Sequence, residues 1–288
     1  MRVLVTGGSG QIGQVVVDRL VRSGHEVLAI ERTPSVEPRP GLLGATTRVI
    51  GDAADAELMN SAMQGIDAVV HLAAIPGPEG HTARELLVAN SLATMTVLEA
   101  AGECGVSGAV IASSISILGM AWADELMDPL YLPVDEAHPL RPTEGYALSK
   151  ECDEAAARMA SRRWGLPIVA MRFPFTNTRE QIESRRADAA SSIALAKELW
   201  AYLDVRDAAR AIESAVTAMV DGTVRGCNVV NVVADDVIFD RPIGELLKEW
   251  HPGVPFAADR YELRGAYDVT RARSLLGFEA EHLIHHRI

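Results

Sequence analysis

The sequence predicts an α/β fold, a doubly wound parallel sheet of about seven strands with a small C-terminal lobe. Three observations point there. Short β-branched runs alternate with helical segments along the chain. The runs are almost continuously apolar, as strands covered on both faces must be. A glycine-rich turn joins the first run directly to the first helix. With 288 residues, 48% hydrophobic and 23% charged, the chain is long and apolar enough to bury a large core.

The elements follow in order. Val3 to Thr6 is the first strand, and Gln11 to Ser23 is the helix that begins on the glycines. Further strands are expected at Glu26 to Ile30, Thr47 to Ile50, Ala68 to Leu72, Ala109 to Ser113, Ile168 to Arg172 and Asn228 to Val232, the intervening helices supplying the crossovers of a parallel sheet. The connection from Gly119 to Gly145 carries Pro129, Pro133, Pro139 and Pro142, a length that in a compact domain marks a lid or binding loop. Residues 173–204 and 235–288 lose the strand–helix alternation and are assigned to a small substrate-binding lobe; residues 1–172 and 205–234 form the main domain.

Composition narrows the classes. The formal net charge is −12 and no basic segment interrupts it, which argues against nucleic acid. Apolar stretches are too short to span a bilayer and no signal-peptide pattern opens the chain, so a cytoplasmic protein without membrane association is expected. Cys104, Cys152 and Cys227 are odd in number and far apart, as reduced thiols would be. His282, His285 and His286 crowd the C-terminus; a frayed polar tail is the expectation there, and no metal site is assigned.

Two patterns carry chemistry. Thr6-Gly7-Gly8-Ser9-Gly10-Gln11-Ile12-Gly13 lies between a strand and a helix, the setting of a dinucleotide fingerprint: Gly7 for the tight turn, Gly10 for close approach of a pyrophosphate, Gly13 for helix packing against the sheet. Glu31, 18 residues after Gly13 at the end of the second strand, can accept from both ribose hydroxyls of an adenosine, which favours NAD. Arg32 beside it could instead meet a 2′-phosphate, so NADP is the alternative. Asp52 ends the third strand and suits either an adenine amino group or a turn.

Tyr146 and Lys150 form the second pattern. Four residues apart, they share one helix face. With only three lysines (Lys150, Lys197, Lys248) and five tyrosines, chance produces such a pair only about 0.05 times. A free phenol titrates at roughly pH 10, so acting as a base near neutrality requires its anion to gain about 4 kcal/mol of stabilisation. A fixed ammonium one helical turn away supplies part of it.

Taken with His71-Leu72-Ala73-Ala74, Gly51-Asp52, Asn90, Ser113-Ser114, Arg172 and Tyr202-Leu203-Asp204-Val205-Arg206-Asp207, these patterns resemble the extended short-chain dehydrogenase/reductase family, the NAD-dependent sugar epimerases and dehydratases, over nearly the whole chain. The resemblance implies a Rossmann domain and a catalytic set of Ser114, Tyr146 and Lys150. It implies cofactor contacts at Gly7, Gly10, Gln11, Ile12, Gly13, Glu31, Arg32, Asp52, Ala53, Leu72, Ala73, Ala74 and Asn90, as well as at Tyr146 and Lys150, with Asn90 also bracing the active-site helix. Substrate would meet Ser113, Ser114, Ser116, Arg172, Phe175 and Asn177. Leu118 stands where the family has an aromatic residue, and Phe175 where it commonly has Asn. The short span from Arg172 to Tyr202 disfavours a nucleotide sugar and is similar to uronate dehydrogenase-like members; Arg172, Arg179 and Arg185 or Arg186 could then meet a carboxylate or phosphate.

The implied activity is oxidation of a carbinol of a sugar or sugar acid, with epimerase and net dehydrogenase both open. A non-catalytic NAD(P)-sensing regulator on the same fold is the rival; retention of Tyr146 and Lys150 speaks against it. In the family, helices such as Glu85 to Cys104 and the one beginning near Tyr146 pair into a homodimer. Their apolar residues (Leu86, Leu87, Ala89, Leu92; Ala155, Ala156, Met159, Ala160) suit that or a purely internal role.

Overall fold

The structure, a computed structural model, describes residues 1–33, 46–187, 192–256 and 263–285. His286 lies outside them. Seven strands build one parallel sheet: β1 (Arg2–Thr6), β2 (Glu26–Glu31), β3 (Thr46–Ile50), β4 (Ala68–His71), β5 (Gly108–Ser114), β6 (Ile168–Phe173) and, later in the chain, β9 (Cys227–Asn231). Their order is β3-β2-β1-β4-β5-β6-β9. The winding reverses between β1 and β4, which opens a crevice over the C-terminal ends of those two strands, where ligands bind in open α/β sheets.

All seven strands expected from the sequence are present, because each is a short β-branched run bounded by turn residues. β6 is buried throughout, and β3, at one edge, is only half covered. Helix α1 (Gln11–Arg22) packs on one face; α2 (Ala56–Ala62), α4 (Leu92–Glu103) and α5 (Gly145–Trp164) pack on the other. Helix α8 (Val205–Val220) buries Ala208, Ala211, Ile212, Ala215, Val216 and Met219, an i, i+3, i+4 stripe, beside α1.

A second sheet, of two short parallel strands, β7 (Phe175–Asn177) and β8 (Tyr202–Asp204), escapes sequence reading, since three residues are too few to show a period. Between them run α6 (Arg179–Ala187) and α7 (Ser192–Lys197), and after β9 come α9 (Ile243–Trp250) and α10 (Thr270–Leu276). Leu195, Trp200, Tyr202, Ile238, Leu246 and Phe278 from these C-terminal parts join one hydrophobic cluster with Val3, Val5 and Val110 of the main sheet. The connection after Gly119 is tied into the same mass: Leu132 bridges Phe256, Val134 bridges Tyr267, and Leu132 and Val134 are fully buried.

The C-terminal histidines are not frayed as far as they are described. His282 donates its backbone N–H to Asp207 and shares a second contact with it through Nδ1 at 2.9 Å. A buried carboxylate at the start of α8 needs those partners.

Candidate active site

The cofactor side is built from backbone. Gly7 sits at φ +72°, and a Cβ there would lie 2.7 Å from the amide nitrogen of Ala73, so only glycine lets the turn after β1 meet the turn after β4. A Cβ on Gly13 would fall 2.1 Å from the Gly7 carbonyl oxygen. Gly13 therefore lets α1 close on the glycine turn itself, rather than on the strands. The N-terminus of α1 has no capping side chain and no acid in its first turn. Its amides and dipole are left to an anion.

Over this turn lies a cavity of about 430 Å³ lined by Gly7, Gly10, Glu31, Arg32, Asp52, Ala53, Leu72, Ala73, Ala74 and Asn90, among others. Glu31 is buried and accepts from Arg48 Nη1 at 2.9 Å, a partner the sequence pattern did not reveal. Asp52 Oδ1 accepts from the Ala54 amide at 2.9 Å, so this residue forms the turn as well as lining the cavity. Asn90 lies in a single π turn (Leu87–Ser91) between α3 (Ala83–Leu86) and α4. Its Oδ1 accepts from Ile75 N, and its Nδ2 donates to the Ile75 carbonyl and to Ser149 Oγ. It ties the loop after β4 to α5.

An adjoining cavity of about 550 Å³ shares Gly7, Gly10, Leu72 and Ala74 and extends over Gln11, Ile12 and Gly13 to Ser114, Ser116, Tyr146, Lys150, Phe175 and Asn177. Ala121 and Trp122 bring the long connection to its wall. Glu144 caps α5, its carboxylate accepting from the amides of Tyr146 and Ala147. That cap starts the helix so that Tyr146 stands in its first turn, buried to 8% exposure at the cavity wall.

Lys150 is 4% exposed, 5.8 Å from the Tyr146 ring centre, and donates to the Ala112 carbonyl at 2.9 Å and to Asp153 Oδ2 at 3.1 Å. Burial works to strip its proton, but the Asp153 carboxylate and the Tyr146 phenol outweigh that, and the net shift is upward. The ammonium stays charged beside the phenol. Asp153 is itself buried, and its Oδ1 has no hydrogen-bond partner. Opposite, His71 bonds Thr6 Oγ1 at 2.7 Å and Thr94 Oγ1 at 3.1 Å, and burial together with the Lys150 charge lowers its pKa to about 3. It is a neutral strut between β1, β4 and α4.

Two expected substrate contacts are corrected. Arg172 is 3% exposed and meets Glu154 through two bonds, Nε to Oε1 at 2.8 Å and Nη2 to Oε2 at 2.9 Å, with Nη1 on the Glu136 carbonyl. A guanidinium in a strand buried on both faces must be paired, and Glu154 of α5 does so. The Ser113 hydroxyl is also spent on Glu154 Oε1, at 2.8 Å. Ser113 borders the cavity, but strand alternation turns its hydroxyl to the opposite face from that of Ser114. Ser114 and Ser116 hydroxyls are 3.0 Å apart, and the Ser116 amide donates to Ser114 Oγ, making a linked pair at the cavity. Arg179 is committed to Glu183 and the Ile284 carbonyl.

Among the described residues, the arginine that reaches the cavity is Arg185. Its guanidinium carbon lies 4.1 Å from the Phe175 ring centre and its two terminal nitrogens bond the Glu198 carboxylate at 2.8 and 3.0 Å. Burial pushes the Glu198 carboxyl up, against the pull of Arg185. Asn177 lines the cavity and caps the Thr178 amide.

A family model matches residues 3–232, with every motif of this crevice inside that span. The chain belongs to the NAD dependent epimerase/dehydratase family. Membership agrees with the cofactor for which the glycine turn, the uncapped helix and Glu31 are suited. Among relatives in this family, the L-arabinose 1-dehydrogenase (NAD(P)(+)) of Haloferax volcanii is 28% identical over 81% of this chain and 89% of its own length. The uronate dehydrogenase of Pseudomonas putida is 32% identical over 59% of each. The chain spans about half the length of several UDP-glucose 4-epimerases that it matches. A solved structure of MoeE5 in complex with UDP-glucose and NAD superimposes with a TM-score of 0.71 over 99% of this chain and 95% of that one, at 27% identity.

Proposed function

We propose that this chain oxidises a carbinol of a sugar or sugar derivative, with Tyr146 as the base. Arrangement of the residues supports each role. NAD, when bound, supplies the acceptor for the hydride that leaves the carbinol carbon. Gly7, Gly10, Gln11, Ile12 and Gly13 would receive its pyrophosphate; Glu31, Arg32, Asp52 and Ala53 its adenosine half; Leu72, Ala73, Ala74 and Asn90 the path between. The linked hydroxyls of Ser114 and Ser116 would hold the substrate oxygen, Ser114 turning the proton it gives to Ser116 toward that oxygen while the Ser116 amide fixes its direction. Tyr146 takes the proton from that oxygen. Lys150, kept cationic by Asp153, stabilises the phenolate during the transfer and has one further N–H for a ribose.

The observation that carries the reading is the buried Tyr146–Lys150 pair on the wall of a cavity whose floor is the glycine turn. Phe175, Thr176, Asn177, Arg185 and Glu198 lie on the substrate side, which supports the division into a cofactor half (1–172, 205–234) and a substrate half (173–204, 235–288). Exposed Val88, Leu92 and Leu148 on neighbouring helical segments suit a homodimer, and three free cysteines suit the cytoplasm. Replacing Tyr146→Phe is the test: turnover with NAD should fall by about 10²-fold or more, with NAD affinity nearly unchanged. Intact turnover would remove Tyr146 from this role. Accumulation of NADH marks a net dehydrogenase; stereochemical change without it marks an epimerase.

A further inference from the structure

We infer that the substrate side accepts an uncharged, unphosphorylated sugar, and that the Arg185–Glu198 pair on Phe175 is what selects it. This rests on the carbinol-oxidising reading above. Among the described residues, the charged side chains at this cavity are Lys150, Arg185, Glu79 and Glu198. Lys150 is committed to Asp153 and the Ala112 carbonyl. Arg185 is the cation in position to meet a carboxylate or phosphate of the substrate, yet its two terminal nitrogens already hold both oxygens of Glu198. Phe175 covers one face of the guanidinium, which fixes its plane and leaves only an edge for new bonds.

An anionic substrate group would have to compete with Glu198 for that edge, or sit beside it as a like charge. At the exposed rim Glu79 adds a second negative charge. Both disfavour a uronate, and a diphosphate more strongly. A neutral polyol faces neither obstacle. One hydroxyl can donate to Glu198 while a neighbouring one accepts from the Arg185 edge, so the pair reads a diol without opposing its charge. Phe175 provides an apolar platform beside them.

The test uses the full chain with NAD and three matched sets: glucose and galactose; glucuronate and galacturonate; and UDP-glucose and UDP-galactose. Turnover is read both as NADH and as altered sugar. Neutral aldoses should be used at least about 10-fold better in kcat/KM than the uronates and UDP-hexoses. Glu198→Gln, which frees the Arg185 charge, should raise kcat/KM for uronates by about 10-fold, mainly through KM, and lower it for aldoses. A wild-type preference for uronates or UDP-hexoses overturns this inference whether or not the variant folds, and leaves the carbinol-oxidising reading standing. A folded Glu198→Gln protein, judged by melting and NAD binding, with an unchanged preference also overturns it. Failure of the wild type on all three sets overturns the carbinol-oxidising reading itself, and this inference with it.

Discussion

The two halves of the crevice are built from different materials. On the cofactor side, small residues bring main chain to main chain, with Gly7 against Ala73 and Gly13 against Gly7. On the substrate side, paired side chains from distant segments make the wall: Ser114 with Ser116, Arg185 with Glu198 over Phe175, and behind them Arg172 with Glu154. A backbone surface tolerates almost no added volume and recognises a ligand shared by many proteins. A surface of paired side chains can be re-specified by single exchanges while the fold stays intact.

The sharpest way to break this contrast is to unpair the ion pair behind the substrate side. Glu154→Gln leaves Arg172 charged and inadequately compensated within a buried strand, and should cost about 3 kcal/mol of stability, measured by urea unfolding. A loss below about 1 kcal/mol would mean that the pair is dispensable to the fold. On the backbone side, Gly13→Ala should cost about 1–3 kcal/mol through overpacking, together with a fall in NAD affinity that calorimetry would detect. If NAD binding survived intact, the turn would be less rigid than its contacts imply.

The smallest effect concerns the charge balance beside the base. Lys150 faces Tyr146 and Asp153 of its own helix, the Ala112 carbonyl of β5 and the neutral His71 of β4; Glu154 and Arg172 nearby neutralise one another. Asp153→Asn removes the main force that holds the Lys150 proton, so that proton leaves at lower pH. It also lets the ammonium act on Tyr146 without an opposing carboxylate. The alkaline limb of the kcat/KM profile should therefore move toward acid. A shift toward alkali, or none, would show that Asp153 serves packing alone.

What the sequence made legible divides along the same line. The strands, the glycine turn, Glu31 and the Tyr146–Lys150 spacing are local signals, each readable within a few residues. Arg172 looked like a substrate contact because nothing near it in sequence announces Glu154, 18 positions earlier on a helix that packs across the sheet. Ser113 failed for a subtler reason: adjacent residues on a strand point to opposite faces, and only the register decides which hydroxyl meets the cavity. Asp153 has no role assigned from sequence, because its burial follows only once α5 is docked on β5. The Arg185–Glu198 pair depends on two segments meeting beside β7, a strand too short to foresee.

The bare start of α1 ties folding to metabolism. Without a capping side chain there, the free protein forgoes stabilisation that a bound anion restores, so occupancy and conformational stability rise together by mass action. At a ligand concentration 100 times its dissociation constant the gain is about 2.7 kcal/mol. A chain of this design is most resistant to unfolding when its dinucleotide is bound, and least so when it is empty.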